Sequence, residues 1–177
     1  MQDVKALLGH TRSTMREPGP YSETMRALEL RLPPLALVLL TAALMGLLSW
    51  ASPSLGWHWA CGPVVALGLA LAGGTIVILG VSAFRQARTT VNPTRPQAAA
   101  ALVRGGIFRV SRNPMYLGFL MVLLAWAVFL ENGLALALAP LFVGYMNRFQ
   151  IGPEERALAA LFGEAFTAYR REVRRWI

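Results

Sequence analysis

Hydrophobic and polar positions along this chain fall into long blocks rather than short repeats. From Leu32 to Trp50, and again from Ala60 to Phe84, no charged residue occurs, and small and aliphatic residues dominate. About 20 apolar residues span a hydrocarbon core, so each block predicts a membrane-crossing helix. Pro33 and Pro34 fall in the first turn of the first helix, where a missing N–H is harmless. Met115 to Leu130, and Leu134 to about Met146 or Phe149, predict a second pair joined by the turn Glu131-Asn132-Gly133. Both are short for a perpendicular crossing, and Pro140 predicts a kink in the second. From Pro153 to Ile177 the period changes. Leu158, Leu161, Phe162, Phe166, Tyr169, Val173 and Trp176 recur at three- and four-residue steps, with arginines mostly on the other face. That is the pattern of an amphipathic helix lying on a membrane surface. The expected fold is therefore all-α: an integral membrane helical bundle of about four transmembrane helices plus a C-terminal amphipathic interfacial helix.

The polar stretches divide one membrane domain into three parts. Residues 1–31 form a polar leader with a short helix expected from Ser22 to Arg31, after the Pro18-Gly19-Pro20 break. Residues 32–84 hold the first two spans, with Trp57 and Trp59 placed as an aromatic belt. Gly68, Gly73, Gly74 and Gly80 in the second span would permit close helix packing or pairing with a neighbour. Residues 85–177 hold a long polar loop, the helical hairpin and the amphipathic helix. Within the loop, Ala98–Val103 predicts a short helix against the interface.

Composition agrees with the membrane class. Of 177 residues, 55% are hydrophobic and only 15% charged, and the mean hydropathy is +0.48. A soluble domain of this length could not bury so much apolar surface. The leader lacks the apolar core of a cleavable signal peptide, so the first span is expected to stay. The net charge of +8 could suggest nucleic acid, but the arginines sit beside apolar helices, not among stacking aromatics on a soluble fold. All 17 basic residues fall in the leader, the central loop or the stretch from Arg148 onward, and none in the loops 51–56 and 131–133. Positive residues stay inside, so both termini are expected in the cytoplasm, in a bacterial inner membrane. One cysteine, Cys61, and two histidines, His10 and His58, exclude a disulfide framework within the chain and a metal cluster. Cys61 reads as a small buried apolar residue. The absence of ionisable residues inside the spans argues against a transporter.

Two polar clusters carry the candidate chemistry. The first, residues 104–118, crowds arginine, glycine and aromatic side chains at the start of the third helix. Asn113 suits an N-cap and Pro114 a first helical position, while Arg112 beside a helix N-terminus could hold a carboxylate. Phe108 and Tyr116 offer flat surfaces for a ring. The second cluster, Pro153-Glu154-Glu155-Arg156, opens the amphipathic helix, where acidic residues favour its positive end. Adjacent glutamates point about 100° apart, so one could face the membrane domain and the other water. An inward carboxylate needs a cation: Arg112, Arg148, or a ligand ammonium or sulfonium. The hairpin returns both clusters to the cytoplasmic interface.

Gly106-Ile-Phe-Arg-Val-Ser-Arg-Asn-Pro-Met-Tyr-Leu-Gly118, a helical hairpin, then Glu154-Glu155, Leu161-Phe162-Gly163-Glu164 and Tyr169 resemble the isoprenylcysteine carboxyl methyltransferase family over residues 85–177. The resemblance implies an integral membrane enzyme that transfers a methyl group from S-adenosylmethionine to a lipophilic acceptor, leaving S-adenosylhomocysteine. It implies that Ala100, Ala101, Leu102, Val103 and Phe108 line the cofactor. Arg112, Asn113, Pro114 and Tyr116 would hold its amino-acid and sugar portions, and Glu154 its amino-acid part or the border of the transferring methyl. Glu154, Glu155 and Arg112 are the candidate catalytic residues. This chain has Asn113 where the family motif usually has His, and Gln150, with Arg148 nearby, where eukaryotic members carry an Arg for the prenylcysteine carboxylate. The second departure bears on the acceptor rather than the cofactor.

The acceptor is expected from the bilayer, as the carboxylate of a prenylcysteine-like or other lipidic molecule. The alternatives are a phospholipid headgroup amine, a nicotinamide-dependent membrane reductase, and a non-enzymatic protein binding membrane lipids. Neither nucleic acid nor metal is expected as a partner.

Overall fold

The computed structural model describes residues 29–88 and 99–177. The leader helix expected from Ser22 falls largely outside them. Among the described residues five α-helices follow in order: α1 (Pro34–Ala51), α2 (Gly62–Gln86), α3 (Pro114–Leu130), α4 (Gly133–Tyr145) and α5 (Gly152–Glu172). A π-helical segment, Met146–Ile151, joins α4 to α5 without a break in the helical run. No strand occurs among the described residues.

The all-α membrane bundle stands. α1, α2 and the run from Gly133 are long and apolar enough to cross a membrane. α3, with 17 residues, reaches only about 26 Å. It is nonetheless the central helix, packed between α2 on one side and α1 and α4 on the other. Its contact with α2 depends on missing side chains. A Cβ on Gly73 would lie 2.7 Å from the Gly118 carbonyl oxygen, and one on Gly80 would lie 2.7 Å from Met115 Cγ. Backbones this close give dispersion contacts that apolar lipid cannot offer as an alternative. These glycines therefore serve packing within the chain, while Gly68 and Gly74 have open space. On the other side Met45, Leu123, Ala127, Ala135, Phe142 and Met146 form a core between α1, α3 and α4. Trp126 Nε1 donates to Ala42 O at 3.0 Å across it.

Outward-facing residues are as apolar as the core. Leu35, Leu39, Leu40 and Leu47 on α1, and Val64, Leu67, Leu71 and Ile78 on α2, are all exposed. Continuous apolar surface of this kind marks an environment other than water. Lipid is the one its helix lengths match.

Several expectations change. Residues 99–103 form no helix; so short a segment has little to offset nucleation, and Ala101, Leu102 and Val103 turn instead to a cavity. Pro140 is exposed inside α4, which runs through it; the departure from α geometry comes later, at 146–151. Cys61 is exposed rather than buried, because it sits just before α2 instead of within it. The amphipathic helix ends at Glu172, five residues early, and breaks locally at Gly163, whose φ is 49°. The last five residues instead fold back onto the start of α3.

Candidate functional site

The hairpin α3–α4 returns the two polar clusters to one end of the bundle, as expected. Pro114 takes the first position of α3, but Asn113 before it does not cap the helix with its side chain. Its Nδ2 donates to Arg175 O at 3.0 Å, which ties the side chain to the tail rather than to the first turn of the helix. One turn on, Tyr116 is buried and points its hydroxyl at Glu154.

Both glutamates face inward, contrary to the expectation that one would meet water. Glu155 is clamped: Arg112 Nη2 donates to its Oε1 at 2.7 Å, and Arg175 Nη2 to its Oε2 at 2.6 Å. Burial pushes this carboxyl up, but the bonds from Arg175 and Arg112 outweigh it and hold it below the usual carboxylate range. Glu154 meets neutral donors only. Its Oε1 accepts from Tyr116 Oη at 2.5 Å and from Gln150 Nε2 at 2.6 Å. Among the described residues no cation lies within ion-pair distance of it. Burial is the largest influence and drives its carboxyl up to about 7, the Glu155 charge adding to a rise that the two hydrogen bonds only partly offset. The tail's return explains the difference, since Arg175 covers the one glutamate and not the other.

The two clusters enclose a cavity of about 110 Å³ that opens to solvent at its mouth. Ala101, Leu102, Val103, Phe108, Arg112, Asn113, Pro114, Tyr116, Glu154 and Glu155 all line it. Ala100 lies exposed beside its wall. The cavity's apolar side also takes Phe84, Met115, Leu158, Phe166 and Tyr169, none of them a candidate site residue from the sequence. Phe84 meets Phe108 edge-on, ring centroids 5.2 Å apart, and Tyr169 Oη donates to Phe108 O at 2.7 Å. Arg104 reaches across to Ala165 O. One buried polar atom here has no partner, Arg112 Nε.

The residues expected at the acceptor are placed apart. Gln150 is buried beneath Tyr116 and Glu154. Arg148 turns away and pairs with Glu29 at 2.9 Å, as Arg156 does at 2.5 Å. Arg175 and Asn147 were not singled out by the sequence, and Trp176 read only as an apolar position of the amphipathic helix. Arg175 is one arginine among several in the tail, and no local pattern marks it as the one that turns inward.

An uncharacterized protein of Haemophilus influenzae is 43% identical over 63 residues, which are 36% of this chain and the whole of that protein. No solved structure matches. The sequence profile of the family described as phospholipid methyltransferase matches residues 62–165, from the start of α2 through both clusters. That is more than half of the chain, and it includes the hairpin and every acidic residue of the cavity: the protein belongs to the phospholipid methyltransferase family, whose members include the isoprenylcysteine carboxyl methyltransferase-like membrane methyltransferases.

Proposed function

We propose that the cavity binds S-adenosylmethionine and that the protein methylates a lipophilic acceptor drawn from the bilayer, at the cytoplasmic face of a bacterial inner membrane. The observation that carries this reading is a pair of unspent polar groups in one cavity. Arg112 Nε has no partner, and Glu154 has no cation. A buried donor without a partner costs about 1–3 kcal/mol, and a buried carboxylate prefers to be neutral or paired. A zwitterionic amino acid would satisfy both, its carboxylate at Arg112 and its ammonium at Glu154. The aromatic and aliphatic wall from Ala101 to Phe108, with Phe84, suits a flat heterocycle. The residues therefore fit the cofactor at both ends.

When bound, S-adenosylmethionine supplies an activated methyl group on sulfur. The chain's own contribution is alignment and dryness. Effective alignment is worth roughly 7–11 kcal/mol, and an apolar wall keeps the acceptor's nucleophile unshielded. Tyr116 and Gln150 fix the Glu154 carboxylate from one oxygen, leaving the other to a ligand.

A lipid amine suits this site better than a lipid carboxylate. Arg148 is committed to Glu29 and Gln150 carries no charge, so neither supplies the cation a carboxylate would need. A carboxyl held near 7 can take the proton an amine must lose. The two roles of Glu154 separate by experiment. Titrating Glu154→Gln with S-adenosylhomocysteine is expected to show weakening of about tenfold or more if it meets the ammonium. Intact binding with loss of turnover on phosphatidylethanolamine vesicles assigns it as the base. If neither changes, Glu154 has no part in the reaction.

A further inference from the structure

The last five residues do not continue along the membrane surface but turn back beneath the cavity. What holds them there is the site itself. The Arg112 amide donates to Arg174 O at 3.0 Å, Arg112 Nη1 to Val173 O at 2.6 Å, and Asn113 Nδ2 to Arg175 O at 3.0 Å. Arg175 reaches back with Nη2 and Nε to the two oxygens of Glu155, at 2.6 and 3.1 Å. Asn147 Oδ1, in the π segment, then accepts from Arg175 Nη1 at 3.4 Å and from Trp176 Nε1 at 3.1 Å. Trp176 packs against the core and anchors the strap.

The result is an asymmetry between neighbouring carboxylates. Two guanidinium groups serve Glu155, and Glu154 has neither. Without Arg175, Arg112 alone would stand beside two adjacent acids, and its guanidinium would be drawn between them. With Arg175 in place, both Arg112 terminal nitrogens are committed to the tail and Glu155, and its Nε–H remains over.

Resting on the cofactor reading above, we propose that Arg175 is a positioning residue for the amino-acid end of the cofactor. It commits Glu155 to the clamp, fixes Arg112 with Nε–H available, and so leaves Glu154 as the carboxylate that meets the ligand's ammonium. Arg175 itself touches no ligand in this account.

The test is calorimetric titration of the full-length, detergent-purified protein with two probes. S-adenosylhomocysteine carries the amino-acid end, and 5′-methylthioadenosine lacks it. Arg175→Ala is expected to weaken S-adenosylhomocysteine by about tenfold or more while leaving 5′-methylthioadenosine unchanged. Equal losses for both probes would show a merely structural role and overturn the proposal. So would wild-type affinity for S-adenosylhomocysteine in the variant. Should Arg175→Ala fail to fold, Arg175→Lys serves: a single ammonium cannot replace the two-pronged contact, so a selective loss is again expected, and unchanged binding overturns the assignment. Failure of the wild-type protein to bind either probe would instead sink the cofactor reading itself, and the role of Arg175 with it.

Discussion

The two ends of the α3–α4 hairpin use similar residues to opposite effect. At the far end Glu131 adopts a left-handed conformation, φ 49°, and its backbone oxygen accepts from the Trp57 amide at 2.9 Å. Its side chain accepts from the Trp59 amide at 3.1 Å and meets His58 at 3.3 Å. Asn132 caps α4 through the Leu134 and Ala135 amides, and its amide group donates to Ser52 O at 2.9 Å. These acceptors and donors tie two loops together. At the near end a glutamate without a cation and an arginine nitrogen without a partner line a cavity. The two ends thus differ not in polarity but in whether bonding capacity is left over.

The contrast can be broken most decisively at Arg112. Arg112→Ala removes both the orphan donor and half of the Glu155 clamp. It should weaken S-adenosylhomocysteine by about 100-fold or more, since removing one partner of a buried charge pair costs about 3–5 kcal/mol. Retained affinity would show that the near end is no less structural than the far end. Next, pH should separate the ends. Glu154, with its carboxyl raised to about 7, must ionise to meet an ammonium, so affinity should rise between about pH 6 and 8 and then level off. The unliganded protein should move the other way. The neutral carboxyl is the form its burial favours, so the contribution is complete below the ordinary value of 4.5 and is lost as pH rises through about 7. In Glu154→Gln both profiles should flatten; a surviving slope would assign the titration elsewhere.

Smaller effects are expected at the far end. Asn132→Ala removes a helix cap and a loop tie, lowering stability by about 1–2 kcal/mol in thermal unfolding while leaving ligand affinity untouched. An affinity change there would mean the two ends are coupled through α3. His58→Ala should change stability by no more than about 0.5 kcal/mol, because 88% of its side chain is exposed.

What the sequence determined by itself is the layer of structure that follows from periodicity and chain reach. Uncharged blocks of membrane length fixed α1 and α2. The short block pair around Glu131-Asn132-Gly133 fixed a hairpin, and a hairpin must return its ends to the same interface, which brings the cluster holding Arg112 and Tyr116 to the one holding Glu154 and Glu155. Gly73 and Gly80 read as close-packing positions, and they are. Which surface they pack against was decided by tertiary structure, because a glycine marks permission for approach and not the partner.

The same limit governed the site. Spacing puts Glu154 and Glu155 about 100° apart but cannot say what each direction contains. The fate of Glu155 depended on Arg175, twenty residues on, leaving the helix at Val173 and turning back, against an amphipathic pattern that runs to Trp176. Asn113 likewise had the composition of a helix cap, and its side chain is tied to a tail carbonyl instead. Both outcomes rest on hydrogen bonds between residues 20 to 62 positions apart, in competition with local ones of similar strength. Only the folded chain decides such a competition, because only there are both partners present and water displaced from between them.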